Sequence, residues 1–152
     1  MATSRGRAVF LPDTSVIVAS VSSWHVHHVR AVETIEDRLS RKERMVVAAA
    51  TLVEAYSVLT RLPAPHRLAP EVALQLVDDN FAHSFTCVAL SAADYRTLLR
   101  AAPPNGVAGG RIYDAIVAHS ARKAGAKTLL TFNASDFAAF AGPDLTIVVP
   151  TR

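Results

Sequence analysis

Four carboxylates stand where the chain passes from one predicted element into the next. Asp13 directly follows an apolar run at residues 8–12, and Asp136 comes five residues after a predicted strand. Glu54 and Asp114 fall in the first turns of predicted helices. Ligands bind beyond the carboxyl ends of parallel strands, and helices that follow a strand begin at that edge. We therefore expect Asp13, Asp136 and Glu54 at one rim of a sheet, with Asp114 placed there by inference.

Each of these acids also has a structural explanation that the sequence leaves open. Asp13 could cap the helix that follows it. Asn133 and Asp136 could form a capping box, and Asp114 could complement the positive end of its helix. Glu54 lies on a polar helix face and could simply be solvated. Whether the acids do chemistry depends on whether they reach one another.

As a set, the four acids would form an acidic pocket in a basic protein, which has 16 Lys and Arg against 13 Asp and Glu. Two unit charges about 4 Å apart repel by about 4 kcal/mol at an effective dielectric constant of about 20. Hard divalent ions such as Mg²⁺ or Mn²⁺ prefer oxygen ligands and relieve this repulsion. A metal-activated water then favours phosphodiester hydrolysis. Candidates for holding a nucleic-acid backbone are Arg5, Arg7, Arg61, Arg67 and Arg111.

The elements that must position these acids alternate between strands and helices. Predicted strands lie at 8–12, 45–48, 85–90, 127–131 and 146–149, and predicted helices at 24–38, 50–61, from 70, from 92, 111–124 and 135–140. Ser91 and Asp94 have the spacing of a capping box. This alternation predicts an α/β fold with a single parallel sheet and helices on both faces. The 152 residues, 51% of them hydrophobic, suit one compact domain.

Composition also bears on the compartment. Cys87 is the only cysteine and lies in an apolar run, so we expect a small buried core residue and a reducing environment. The sequence near the N-terminus suggests neither a signal peptide nor a membrane span. We therefore expect a cytoplasmic protein with no membrane partner.

Four short motifs carry a resemblance to a known family. They are Asp13-Thr14-Ser15, Val53-Glu54-Ala55, Tyr113-Asp114-Ala115 and Thr131-Phe132-Asn133-Ala134-Ser135-Asp136-Phe137. Together they resemble the PIN-domain nucleases, and among these the VapC-type toxins of bacterial toxin-antitoxin pairs. The resemblance implies a PIN fold with a five-stranded parallel sheet, as a single domain over residues 1–152. It further implies a metal-dependent endoribonuclease, a small antitoxin that neutralises it and a toxin homodimer.

The resemblance also assigns roles to individual residues. By this resemblance, the acids that bind Mg²⁺ or Mn²⁺ would be Asp13, Glu54, Asp114 and Asp136. Polar residues that would orient water or the acids are Ser15 and Asn133, with Thr14 and Thr131 as weaker candidates. For contact with RNA we expect Arg111 and Arg61.

Several other functions compete with this one. A PIN-like module could bind RNA or a protein partner without turnover. The segment 25–28 contains three of the six histidines, so a metal-free ribonuclease with histidine acid and base is a second possibility. Of these, His25 and His28 are expected on one helix face, with His28 on its apolar stripe. Trp24 and Tyr56 could stack on bases, although we expect both to be packed. A dehalogenase-type phosphatase would need a second acid where Ser15 stands.

Overall fold

The computed structural model describes residues 6–151, and its centre is a five-stranded sheet in which all strands run parallel. The strands are β1 (Val9–Pro12), β2 (Arg44–Ala48), β3 (Thr86–Val88), β4 (Thr128–Leu130) and β5 (Thr146–Val148). Their order across the sheet is β3-β2-β1-β4-β5. The predicted α/β class with one parallel sheet is confirmed.

Seven α-helices connect the strands within residues 6–151. They are α1 (Thr14–Val21), α2 (His28–Ser40), α3 (Ala49–Thr60), α4 (Pro70–Val77), α5 (Ala92–Ala101), α6 (Arg111–Lys123) and α7 (Ala134–Phe137). A π-helical turn (Asp78–Ala82) follows α4, and short 3-10 turns occupy Pro103–Asn105 and Ala138–Phe140. Over the same residues, no helix combines the length and apolar character needed to cross a membrane.

The sheet separates two hydrophobic clusters because successive side chains of a strand point to opposite faces. On β1, Phe10 joins the cluster that contains residues of α1, α2, α3 and α4. Its neighbour Leu11 joins the second cluster, which contains residues of α6 and α7. Both side chains are fully buried. The prediction of helices on both faces is therefore confirmed, and β1 is covered on both sides.

The strand order creates a crevice at one edge of the sheet. After β1 the chain continues to β2 on one side, whereas β4 pairs with the other side of β1. Such a reversal is where open α/β sheets hold their ligands, beyond the carboxyl ends of the strands. In the register of this pair, Pro12 lies opposite Leu130. The residues that follow, Asp13 and Thr131, therefore emerge side by side at the rim.

One helix begins later than the sequence predicted. The segment after Asp13 forms helix α1, as the capping interpretation of Asp13 required. Helix α2 begins at His28, four residues later than predicted. His25 consequently precedes the helix, so the expected shared helix face of His25 and His28 is wrong. His28 is half-buried, and its Nδ1 lies 2.8 Å from the Ala19 carbonyl oxygen of α1.

Some residues expected in the core are exposed. Cys87 lies on β3, which forms an edge of the sheet, and its side chain is exposed. On α4 the buried positions are Ala73 and Val77, whereas Leu74 is 53% exposed. On α5, Leu98 is the buried position, whereas the large apolar side chains of Tyr95 and Leu99 are exposed. An edge strand and two peripheral helices have less surface to pack against than central elements, so apolar residues there need not be buried.

The capping box at the start of α5 is confirmed. Ser91 Oγ accepts from the Asp94 N–H at 3.1 Å, and the Ser91 N–H donates to Asp94 Oδ2 at 2.8 Å. Lys123 Nζ also donates to Asp94 Oδ2 at 2.6 Å. Asp94 is therefore structural, since its oxygens join the start of α5 to the end of α6.

The packing of α6 on the sheet yields a stability prediction. Ala121 is fully buried in the second cluster, so Ala121→Leu must displace neighbouring side chains. We expect a loss of about 1–3 kcal/mol in the free energy of unfolding, measured by urea denaturation. The exposed helical Ala93 is the control, and Ala93→Leu should change that free energy by less than about 0.5 kcal/mol. Equal effects of the two substitutions would contradict tight packing of α6.

Candidate active site

Asp13 is the most buried acid of the rim, with 4% of its surface exposed. Its N–H donates to the Leu130 carbonyl of β4 at 2.9 Å, which continues the sheet pairing by one residue. Its carboxylate accepts three hydrogen bonds, from Ser15 Oγ at 2.6 Å, the Val16 N–H at 3.1 Å and Thr131 Oγ1 at 2.6 Å. Both main chain and side chain of Asp13 are thus held in place.

Burial and hydrogen bonding act on Asp13 in opposite directions. Burial is the larger effect and raises its pKa, while the hydrogen bonds from Ser15, Thr131 and Val16 lower it. Asp13 is also the N-cap of α1, as one interpretation of the sequence allowed. A cap needs only the bond from Val16. The two short hydroxyl contacts go beyond that requirement, so capping does not account for the whole arrangement.

The two hydroxyl groups that contact Asp13 are themselves oriented by backbone groups. Ser15 Oγ accepts from the Phe132 N–H at 3.0 Å, and Thr131 Oγ1 accepts from the Asn133 N–H at 2.9 Å. Because each oxygen receives an N–H, its own proton is directed to the carboxylate. The segment after β4 is in this way joined to Asp13 twice. The sequence ranked Thr131 below Ser15, but the structure gives both hydroxyls equivalent contacts.

Two further acids come from helices. Glu54 on α3 is exposed, and its Oε2 accepts from Thr14 Oγ1 at 2.9 Å. Asp136 lies in α7 and is exposed. Asn133 is the N-cap of α7 but forms no side-chain capping bond, so the proposed capping box with Asp136 is wrong. Thr14, Ser15 and Thr131 support the acids through their side-chain hydroxyls. Asn133 contributes through its backbone N–H, which donates to Thr131 Oγ1.

The electrostatics of Asp114 link it to the other three acids. It lies in the first turn of α6, and its pKa is raised to about 6. Burial is the largest cause, followed by repulsion from Asp136, Glu54 and Asp13, while Arg111 acts in the opposite direction. Repulsion from all three requires that the four carboxylates share one region of the rim. The inferred placement of Asp114 agrees with this geometry.

The matches to known proteins agree with the fold. A PIN-domain family model matches residues 10–143, which is most of the chain. The chain belongs to the PIN-domain family. Within it, the chain groups with the VapC-type ribonucleases, because it is 43% identical to Ribonuclease VapC40 of Mycobacterium tuberculosis over 118 residues. That match covers 78% of this chain and 82% of VapC40.

Solved PIN structures share the fold at low sequence identity. The DNA-bound VapBC complex of Salmonella typhimurium contains a chain with a TM-score of 0.67 and 20% identity, and the match covers 95% of this chain and 99% of that one. Mycobacterium tuberculosis VapC20, a toxin that cleaves the sarcin-ricin loop, has a TM-score of 0.65 and 16% identity. Its match covers 87% of this chain and 95% of VapC20. At these identities the likeness concerns the fold.

The acids of this PIN domain suit a hard, hydrated cation. Ribonucleases with PIN domains are generally metal-dependent. Within residues 6–151, no three His, Cys, Asp or Glu side chains are already arranged as a metal-binding cluster. Mg²⁺ keeps several of its waters and needs only one or two carboxylates, so a preformed cage is not required. The mutual repulsion at Asp114 is the charge imbalance that such a cation relieves.

The arginines expected to contact RNA lie at different distances from the acids. Arg111, the first residue of α6, is close enough to lower the pKa of Asp114. Arg61 caps the far end of α3, about 10 Å along the helix axis from Glu54 at 1.5 Å per residue. Arg7 precedes β1 and so lies near the amino ends of the strands, on the side of the sheet opposite the acids. Arg5 falls outside the described residues.

The sequence did not predict the cleft beside the acids. It has a volume of about 410 Å³ and is lined by Thr14, Ser15, Val18, His25, His27, Glu54, Val58, Phe132 and Asn133. The histidines were noticed in the sequence, but only as a possible metal or acid-base pair. The rings of His27 and Phe132 stack although the two residues are far apart in sequence, and no local sequence pattern predicts this contact.

The pKa of Asp114 generates a prediction about stability and pH. A carboxyl group whose folded-state pKa is raised binds its proton more tightly when folded, so it destabilises the fold as pH rises from about 4 to 6. Asp114→Asn should therefore stabilise the protein in EDTA at pH 7 by about 1 kcal/mol, a value discounted because water screens this partly exposed group. The gain should vanish below pH 4. Urea denaturation at both pH values measures it.

Asp144 provides the control with the opposite sign. Hydrogen bonds from Arg122 hold the pKa of Asp144 below its usual value, so its ionised form stabilises the fold. Asp144→Asn should lower stability at pH 7, and the loss should shrink as the solution is acidified. If Asp114→Asn instead destabilised the metal-free protein at pH 7, burial and the neighbouring carboxylates would not raise the pKa of Asp114 as described.

Proposed function

We propose that this PIN domain is a metal-dependent endoribonuclease that uses Mg²⁺ or Mn²⁺. The acids that would hold the metal are Asp13, Glu54, Asp114 and Asp136. The observation that carries the proposal is the buried Asp13 carboxylate, which Ser15 and Thr131 hold at the end of β1. Burial, and repulsion from the three other carboxylates, also raise the pKa of Asp114. A protein keeps such self-repelling groups together at a cost in stability, and binding of a cation offsets that cost.

The acids at the site would have different roles. When bound, a divalent cation makes water a better nucleophile and stabilises charge on a phosphate. Asp13 supplies the fixed oxygens, because Ser15 and Thr131 prevent its carboxylate from rotating. Glu54, whose Oε2 accepts from Thr14, and Asp114 come from helices on either side of it. The phosphodiester would therefore meet an acid that is already in position. No acid would need to become ordered during the reaction.

RNA is the proposed substrate for three reasons. The relative VapC40 is named a ribonuclease, and VapC20 is described as a toxin that cleaves the sarcin-ricin loop. The chain has a formal net charge of +3 at pH 7, despite the acids at the rim. Arg111 beside Asp114 and Arg61 along α3 are positioned on the same helices as two of the acids and would contact the phosphate backbone.

An antitoxin is the proposed protein partner. Structures related in fold include VapBC complexes from Salmonella typhimurium and Rickettsia felis, each bound to DNA. By the same relationship we propose that a small antitoxin neutralises this ribonuclease and that the toxin forms a homodimer in a cytoplasmic setting. The mass of the purified protein in solution tests the homodimer.

The first functional prediction concerns the acids and the metal. The wild-type protein should cleave single-stranded RNA with Mg²⁺ or Mn²⁺ and lose this activity in EDTA. Asp13→Asn and Asp114→Asn should each reduce the cleavage rate by at least about 100-fold, because each removes a charge from the metal site. Mg²⁺ should raise the melting temperature of the wild type but not of Asp114→Asn, which thermal denaturation measures without turnover.

Asp79→Asn is the matched control, since Asp79 is an exposed acid on the π-helical turn after α4. It should leave both cleavage and the effect of Mg²⁺ unchanged. Cleavage that survives EDTA would favour a histidine mechanism instead. A folded Asp13→Asn variant that retains full biological activity would favour the non-enzymatic binding module.

The second functional prediction concerns Thr131. Thr131→Val keeps the shape of the side chain but removes the hydroxyl group that donates to Asp13 and accepts from the Asn133 N–H. Groups that orient metal-binding side chains typically contribute 10- to 100-fold, so we expect cleavage to fall by about that factor. The exposed Thr97 is the control, and Thr97→Val should have no effect on the rate. Unchanged cleavage by Thr131→Val would show that Asp13 needs no second hydroxyl.

A further inference from the structure

Aromatic and imidazole rings line one side of the cleft beside the acids. His27 and Phe132 stack on each other with ring centroids 4.4 Å apart and an angle of 16° between the planes. Both rings line the cleft, together with Glu54 and Thr14, which belong to the acid site. The cleft is therefore continuous with the proposed catalytic centre, and its volume of about 410 Å³ lies within the range of small-ligand pockets, about 300–1,000 Å³.

The hydrogen bonds of the two histidines define what their rings offer. His25 Nδ1 accepts from the His27 N–H at 3.0 Å, and His27 Nδ1 lies 2.7 Å from Arg30 Nη2, which can only donate. Each neutral ring therefore carries its proton on Nε2. Neither Nε2–H has a hydrogen-bond partner within residues 6–151. The cleft thus combines a stacked aromatic pair with N–H donors.

We propose that this cleft holds one nucleobase of the RNA substrate, next to the phosphate that is cut, with the base stacked on the free face of the stacked pair of His27 and Phe132. The inference rests on the proposed ribonuclease function, because it concerns the same site. Bases stack on aromatic side chains irrespective of their identity, and their ring nitrogens and carbonyl oxygens accept from N–H donors. His25 would contribute such a donor at the edge of the base.

The position of the rings favours RNA over a protein side chain as the occupant. Phe132 directly follows Thr131, and its N–H donates to Ser15 Oγ, so the stacking surface is part of the segment that holds Asp13. A phosphate held at the acids would place an adjoining base close to this surface. The polar groups of the lining, Glu54, Thr14 and Asn133, suit a hydrogen-bonding base better than an apolar side chain.

The test pairs a change in the protein with a change in the RNA. The probe is an unstructured 24-nucleotide RNA of mixed sequence, in which the positions cut by the wild type are first mapped. Abasic nucleotides are then placed one at a time on either side of a cut. For the wild type, one of these should lower kcat/KM by about 5- to 100-fold, the usual contribution of one base stacked on an aromatic side chain.

In Phe132→Leu the same abasic substitution should cost less than about 2-fold, because the surface that recognised the base has been removed. His27→Gln should behave in the same way, since glutamine can still accept from Arg30 but has no ring to stack. This second variant keeps the test valid if Phe132→Leu is unstable. Phe140→Leu is the matched control: Phe140 is also half-buried but packs in the other hydrophobic cluster, and its substitution should preserve the full abasic penalty.

The outcomes separate this inference from the function on which it rests. If the wild type cuts no RNA with Mg²⁺ or Mn²⁺, the proposed function fails and the inference falls with it. If the wild type cuts RNA but abasic penalties are the same in Phe132→Leu and His27→Gln as in the wild type, only the nucleobase assignment is overturned. Unchanged penalties with weakened antitoxin binding would assign the cleft to a protein side chain instead.

Discussion

The structure depends above all on the carboxylate of Asp13, which is buried and bonded by two hydroxyl groups whose own orientation is set by backbone N–H groups. A buried carboxylate without partners would be strongly destabilising. Here the bonds from Ser15 and Thr131 compensate in part for desolvation, although burial still raises the pKa of Asp13. The same bonds join the residues after β1 to those after β4. Without these partners the acid would destabilise the fold, but with them it connects the two segments that form the rim.

The other acids follow from the direction of the helices. In a parallel sheet the connecting helices run opposite to the strands, so α3 and α6 begin at the rim where the strands end. Their first turns carry Glu54 and Asp114. The fold thus concentrates negative charge at one edge while the chain as a whole remains basic. Burial and this concentration of charge together raise the pKa of Asp114, whereas Arg111 is near enough to lower it. The negative charge also makes the rim attractive to cations.

The sequence predicted those parts of the molecule that local pattern and topology determine. Buried runs ending in Asp13 or Thr131 indicated parallel strands, and this topology indicated the common rim. The sequence-based prediction was wrong where burial depends on tertiary neighbours that the local sequence pattern does not reveal. Cys87 was expected in the core but lies on an edge strand, and α2 starts only at His28 because residues 22–27 turn instead of continuing a helix. The equivalence of Thr131 and Ser15 likewise became evident only once β1 and β4 were paired.

Residues 22–27 contribute to the cleft from outside the elements that fix the acids. The acids are fixed by strand ends and helix starts, which the core holds rigidly. The imidazole rings of His25 and His27 come instead from an irregular connection between α1 and α2. They reach the acid site through the stack of His27 on Phe132 and through the shared cleft. Loops tolerate substitution better than the elements they connect. If the cleft holds a nucleobase as proposed, changes in this connection would alter which RNA segment fits while the bonds that hold Asp13 stay intact.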